Sequence, residues 1–158
     1  MKNTKFLMQA AIIAAIYATL TLVLMPFSYG VMQIRVSEAL TILPFFTPAA
    51  IPGLFIGCLV SNLMSPYGMI DMICGSAATL LAAVGSYMLR SKPILVPLPP
   101  VVANGIIIGS MLYFAYGVHI TLLGCILWVA LGQLLACYVI GYPLLKYLRK
   151  YEGIFKIA

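Results

Sequence analysis

From Pro93 through Leu145 the chain carries no Asp, Glu, Lys or Arg. At 1.5 Å per residue, a helical stretch of that length can cross a hydrocarbon layer of about 30 Å twice. The rest of the chain is of the same kind. Of its 158 residues, 64% are hydrophobic and 8% are charged, whereas a soluble domain carries about 25% charged residues. Such a chain cannot cover its own surface with polar groups, so lipid must be its solvent. The net charge of +6 does not make a nucleic-acid patch. The basic residues sit at the ends of apolar segments, where the positive-inside rule uses them.

Turn and proline signals divide the chain into six helices, and the sequence reads as an all-α membrane bundle. Helix 1 is expected over about Phe6 to Met25, ending at Pro26, with turn chemistry at Tyr29-Gly30. Its apolar run is about 20 residues, longer than the core of a cleaved signal peptide. Helix 2 is short, about Ser37 to Phe46, with Ser37 as N-cap. Pro44, Pro48 and Pro52 then break the chain around Thr47. Helix 3, about Ile51 to Met64, is also short. Helix 4 runs about Met69 to Leu89, helix 5 about Val101 to Tyr116, and helix 6 about Ile120 to Leu148. Helices 2 and 3 are too short to cross about 30 Å alone. Short helices leave space inside a bundle, and irregular backbone at that depth must border protein or a cavity.

With the N-terminus inside, six crossings place Lys2, Lys5, Arg90, Lys92, Lys146, Arg149, Lys150 and Lys156 in the cytoplasm and leave Arg35 outside. Eight against one is the bias the positive-inside rule demands, so both termini are expected to be cytoplasmic.

Few residues can carry chemistry. Glu38 and Asp71 fall at the outer ends of helices 2 and 4, with Arg35 beside Glu38. They read either as helix-dipole partners and an ion pair, or as the charged mouth of a pocket. Asn62, Asn104 and Gln133 lie within apolar helices, where an amide binds a neighbouring helix or a ligand. Asn104 reaches mid-depth only if helix 5 enters the membrane early, near Ile94. Amides offer donors and acceptors together, which suits the edge of a heterocyclic base. Trp128, Tyr67, Tyr113 and Phe55 are candidates to cover its face, or else face lipid. His119 reads as a loop residue, and Cys58, Cys74, Cys125 and Cys137 as small buried residues with no metal or redox spacing. Ala10, Ala14 and Ala18 form a stripe on helix 1 that packs inside the bundle or receives another protein's helix. Gly53/Gly57 and Gly105/Gly109 are similar small-residue pairs. No GxxxxGK[ST], GxSxG or HExxH motif is present, so neither nucleotide hydrolysis nor an intramembrane hydrolase is indicated, and no metal site is expected.

The stretch from Gln33 to Leu54, QIRVSEALTILPFFTPAAIPGL, closely resembles the queuosine-precursor transporter (QueT) family, substrate-binding S-components of energy-coupling-factor transporters. The likeness continues through Gly57-Cys58, Leu59, Asn62, Asp71, Gly75-Ser76, Pro97-Leu98-Pro99-Pro100 and Asn104, and resumes at Gly132-Gln133 and Cys137-Tyr138. The resemblance implies one six-helix domain over residues 1–158 that binds a 7-deazaguanine such as preQ1, preQ0 or queuine and needs no cofactor. It implies partners too: a transmembrane coupling subunit that meets an AxxxA stripe on helix 1, matched by Ala10, Ala14 and Ala18, and two cytoplasmic ATPases. The residues available to form that site are the charged residues, amides and aromatic already singled out: Glu38, Asn104, Gln133, Asn62, Asp71, Arg35 and Trp128. Many relatives carry Glu where this chain has Gln133, so either the carboxylate contact comes from Glu38 or Asp71, or the ligand preference differs. The rival reading is a homo-oligomeric channel or facilitator. It requires a continuous polar stripe on several helices, and helix 1 has none.

Overall fold

The structure, a computed structural model, describes residues 2–28, 34–65 and 68–155, and the regular elements among them are all helical. Helix α1 (Lys2–Val23) is followed by a single turn, α2 (Met25–Ser28). A 3-10 segment (Val36–Phe45), α3 (Ala50–Asn62) and α4 (Gly68–Met88) come next. A short turn at Pro93–Leu95 leads into α5 (Leu98–Tyr116). The last helix is built from α6 (Leu122–Leu134), a π segment (Leu135–Gly141) and α7 (Tyr142–Leu148), and a final 3-10 segment (Arg149–Phe155) closes the described chain. The turn expected at Tyr29-Gly30, Tyr67 and Lys156 lie outside the described residues.

Among the described residues four helical stretches are long and apolar enough to cross a membrane: Asn3–Val23, Gly68–Met88, Pro93–Tyr116 and Leu122–Gly153. Val36–Phe45 and Ala50–Asn62 are apolar but shorter. The surface fits that reading, for Leu7, Met8, Ile12, Met69, Ile73, Phe114 and Leu127 are each more than half exposed.

Helices α1, α3, α4, α5 and α6 pack each against the next, and the Val36–Phe45 segment sits among α1, α3, α4, the π segment and α7. Seven of its residues, from Ser37 to Pro44, are buried. Two features favour a 3-10 path here. Pro44 has no N–H to give to an α-helical ladder, and the Thr41 hydroxyl donates to the Glu38 carbonyl at 2.6 Å. At about 2.0 Å rise per residue the segment reaches farther than an α-helix of equal length, though still less than a bilayer core. Ser37 does not cap it. Arg35 holds the cap position without a side-chain bond to the segment's backbone, and Ser37 Oγ instead meets Thr21 Oγ1 at 2.6 Å. Thr121 does cap its helix, accepting from Gly124 N at 3.1 Å.

Gln9 ties the two ends of the chain to one end of the bundle. Its Nε2 donates to the Phe155 carbonyl at 3.5 Å, and Thr47 Oγ1 donates to its Oε1 at 2.9 Å. Phe155 stacks on Phe46, and Phe45, Phe46, Arg90 and Glu152 line one small cavity. Arg35, Asn62 and Asp71 meet at the other end of α3 and α4.

Small residues set the closest approaches. A Cβ on Gly57 would lie 2.8 Å from the Ala14 carbonyl and 2.9 Å from Tyr17 Cβ, and one on Gly53 would lie 2.8 Å from the Ala10 carbonyl. Ala10 is buried, and Ala14 and Ala18 are half-buried. The stripe read as a face for another protein is thus largely the seam between α1 and α3. The alanines that α1 leaves exposed are Ala11 and Ala15. Likewise a Cβ on Gly109 would lie 2.6 Å from Ile126 Cα, which brings α5 onto α6.

Candidate functional site

Glu38 lies where the helices converge. Its carboxyl group is fully buried, a costly placement for a polar group without partners. Tyr17 of α1 donates its hydroxyl to Glu38 Oε1 at 2.5 Å, and Thr79 of α4 donates to the same oxygen at 3.3 Å. The Asn104 amide on α5 also interacts with the carboxyl group. Asn104 Nδ2 donates to Gln133 Oε1 at 3.2 Å, joining α5 to α6. Cys137 of the π segment donates weakly to the Glu38 carbonyl at 3.5 Å. Glu38 Oε2 is buried and has no hydrogen-bond partner among the described residues.

A second polar group lies where α3 and α4 meet the Arg35 side chain. Arg35 Nη2 donates to Asn62 Oδ1 at 3.0 Å and to Asp71 Oδ2 at 3.2 Å. Ser65 donates to the same Asp71 oxygen at 2.6 Å, and Asn62 Nδ2 donates to the Asp71 carbonyl at 3.1 Å. Arg35 and Asp71 are both almost completely buried, so each requires the other. Asp71 Oδ1 has no hydrogen-bond partner among the described residues. Cys58 joins the two groups, accepting weakly from Thr79 Oγ1 at 3.3 Å and from Asn62 Nδ2 at 3.4 Å.

The structure brings together six of the seven side chains expected to form a site: Glu38, Asn104 and Gln133 in one group, and Arg35, Asn62 and Asp71 in the other. Glu38 is deeper than an outer mouth, because it bonds to the middle of α1 and α4. Asn104 is buried, and its helical stretch starts at Pro93, as its depth requires. Trp128 stands apart. It is 43% exposed and lines an outward groove with Gly124, Leu127 and Leu131. Tyr113 and Phe55 also line surface grooves, and His119 is exposed. Among the described residues the fully buried aromatic is Tyr17, which the sequence reading passed over together with Thr79. The available signal was helical spacing, since Ala10, Ile13, Tyr17 and Thr21 form the buried face of α1.

Chemically, the two groups form a buried interior rich in acceptors, with one oxygen on each carboxylate lacking a hydrogen-bond partner among the described residues and three amides alongside. Nothing in it resembles an activated nucleophile, and the described residues contain no cluster of metal-ligating side chains.

Comparison with known proteins points to a transporter family. Residues 7–150 match the model of the QueT transporter family. The chain belongs to that family. It is a multi-pass membrane protein of a transporter family, and not of an enzyme family. A relative from Lactococcus lactis subsp. cremoris (strain MG1363), named Queuosine precursor transporter QueT, is 42% identical over 73 residues. That match spans 45% of this chain and 43% of the relative. No solved structure is significantly similar.

Proposed function

We propose that this QueT-family chain is the substrate-binding S-component of an energy-coupling-factor transporter, and that it takes up a 7-deazaguanine precursor of queuosine. The observation that carries this reading is the buried Glu38 carboxylate, reached from α1, α4 and α5 and holding one oxygen open. A 7-deazaguanine presents an acceptor at O6 and donors at N1 and N2. Glu38 Oε2 accepts from the donors, and the Asn104–Gln133 amide pair supplies the complementary donor and acceptor. In a dry site each such contact counts strongly, because an unmatched partner stays unsatisfied. The substrate named for the Lactococcus relative agrees with this chemistry.

The chain has no phosphate-binding loop of its own, so the energy for uptake comes from partner ATPases through a transmembrane coupling subunit. On α1 the surface left for that subunit is the outward row containing Ala11 and Ala15. Six crossings with both termini in the cytoplasm agree with the basic-residue bias and with the Gln9–Phe155 contact.

Native mass spectrometry of the purified chain, followed by calorimetric titration with preQ1, preQ0 and queuine, tests the reading. Submicromolar binding of at least one of these bases, with adenine inert, supports it. A well-folded chain that binds none of them overturns it.

A further inference from the structure

Two hydroxyl groups converge on one oxygen of Glu38. Tyr17 and Thr79 both donate to Oε1, at 2.5 and 3.3 Å, while Oε2 has no hydrogen-bond partner among the described residues. All three side chains are fully buried. A carboxyl group held only for stability gains by spreading its donors over both oxygens, because a buried polar atom without a partner is costly. Placing both donors on Oε1 occupies its two lone pairs. It fixes the rotation of the carboxyl group and leaves Oε2 as the atom offered to a ligand.

Tyr17 is the closer of the two donors, and Thr79 Oγ1 lies as close to Cys58 Sγ as to Glu38, at 3.3 Å. The Tyr17 ring is firmly seated. It packs in one cluster with Ile13, Leu54 and Cys58. Gly57 of α3 makes room for its root, since a Cβ there would lie 2.9 Å from Tyr17 Cβ. A ring locked by packing carries its hydroxyl to a fixed point. The seam between α1 and the 3-10 segment does not depend on that hydroxyl. One turn along α1, Thr21 Oγ1 meets Ser37 Oγ at 2.6 Å and donates to the Tyr17 carbonyl at 2.9 Å.

We infer that Tyr17 is a positioning residue for substrate binding: its hydroxyl holds Glu38 Oε1 and so aims Oε2 at the N1 and N2 donors of the base. The inference rests on the 7-deazaguanine reading above. Tyr17 acts through Glu38 and does not itself touch the base, and Thr79 is the weaker second support.

Tyr17→Phe keeps the ring and its packing and removes only the hydroxyl. In calorimetric titration of the full chain with preQ1, preQ0 and queuine, it should weaken binding of the tightest of these bases by roughly five- to tenfold. In a Glu38→Gln background the contact that Tyr17 aims is already lost, so Tyr17→Phe/Glu38→Gln should bind within about twofold of Glu38→Gln alone. Thr21→Val cuts the neighbouring contact of the same seam; it should lower the melting temperature of the empty protein and leave affinity within about twofold of wild type. If Tyr17→Phe does not fold, Thr79→Val withdraws the other donor from Oε1 and should give a smaller loss with the same non-additivity towards Glu38→Gln. Wild-type affinity in folded Tyr17→Phe overturns the inference, as do losses that multiply in the double variant, or a loss in Thr21→Val as large as that in Tyr17→Phe. In each of those cases the wild type still binds and the base-binding reading stands. Absence of binding by the wild type to any of the three bases rejects that reading and this inference with it.

Discussion

Replacing Glu38 by Gln separates a ligand-reading carboxylate from a structural one. Glutamine keeps the shape of the side chain and one acceptor for Tyr17, which now donates to Oε1 at 2.5 Å. It turns the other, unpartnered oxygen into an NH2 donor and removes the charge. A base edge with donors at N1 and N2 then meets a donor. Losing one charge-assisted hydrogen bond costs about 1.5–3 kcal/mol, or roughly one to two decades in Kd. Folding should respond in the opposite sense. The empty protein must bury a carboxylate with no hydrogen bond at Oε2, and Gln removes that desolvation cost. Glu38→Gln is therefore expected to melt at or above the wild-type temperature without ligand and to lose most of the ligand-induced rise. Calorimetric titration and thermal melts of detergent-purified protein, with and without preQ1, measure both. Wild-type-like affinity in a folded variant would refute the assignment. A large drop in the melting temperature of the empty variant would show that Glu38 chiefly holds the bundle together.

Four further outcomes follow from the same geometry. Asn104→Ala and Gln133→Ala each orphan one half of a buried amide pair and should weaken base binding by roughly tenfold or more, whereas Glu152→Gln, in an exposed pair with Arg149, should bind as wild type in the same titration. Gly57→Val drives a side chain into the Ala14 carbonyl and Tyr17 Cβ; overpacking of this kind costs about 1–3 kcal/mol, and lowered thermal stability with weakened binding should report it. Ala15→Trp, on the exposed side of α1, should abolish cellular uptake while titration shows binding intact, whereas Ala14→Trp should impair both because Ala14 faces Gly57. Membrane-impermeant labelling of single cysteines in intact cells should modify position 119 and spare position 91, and modification at 91 would reject six crossings.

The parts of this site that were legible in the sequence are those that are expensive in lipid. Glu38, Asp71, Arg35, Asn62 and Gln133 stood out because a charge or amide within apolar helices must find a partner, and the fold supplies one for each. The alternation of prolines with apolar runs likewise marked the short elements. What could not be read was the direction in which each helix faces. In water an apolar stripe points to the core. Here both faces of α6 are apolar, so no stripe distinguishes Val129, which is buried, from Trp128, which is 43% exposed. Helix α1 shows the same difficulty. A strict spacing of four drifts about 40° per step around a helix of 3.6 residues per turn, so Ala10, Ala14 and Ala18 leave the seam gradually. The buried set Ala10, Ile13, Tyr17 and Thr21 averages close to the helical repeat and stays on it, which is how Tyr17 reaches Glu38. The π segment reverses that drift. Its wider i→i+5 turn suits a spacing of four, and Gln133, Cys137 and Gly141 are all buried. Cys137 contacts Gln133 and the Glu38 carbonyl, and Gly141 sets the backbone against Ala39. The central 3-10 segment and the π segment facing it are therefore one device. The two departures from α-helical geometry align a row of side chains on the last helix with a short apolar 3-10 segment that could not span the membrane by itself.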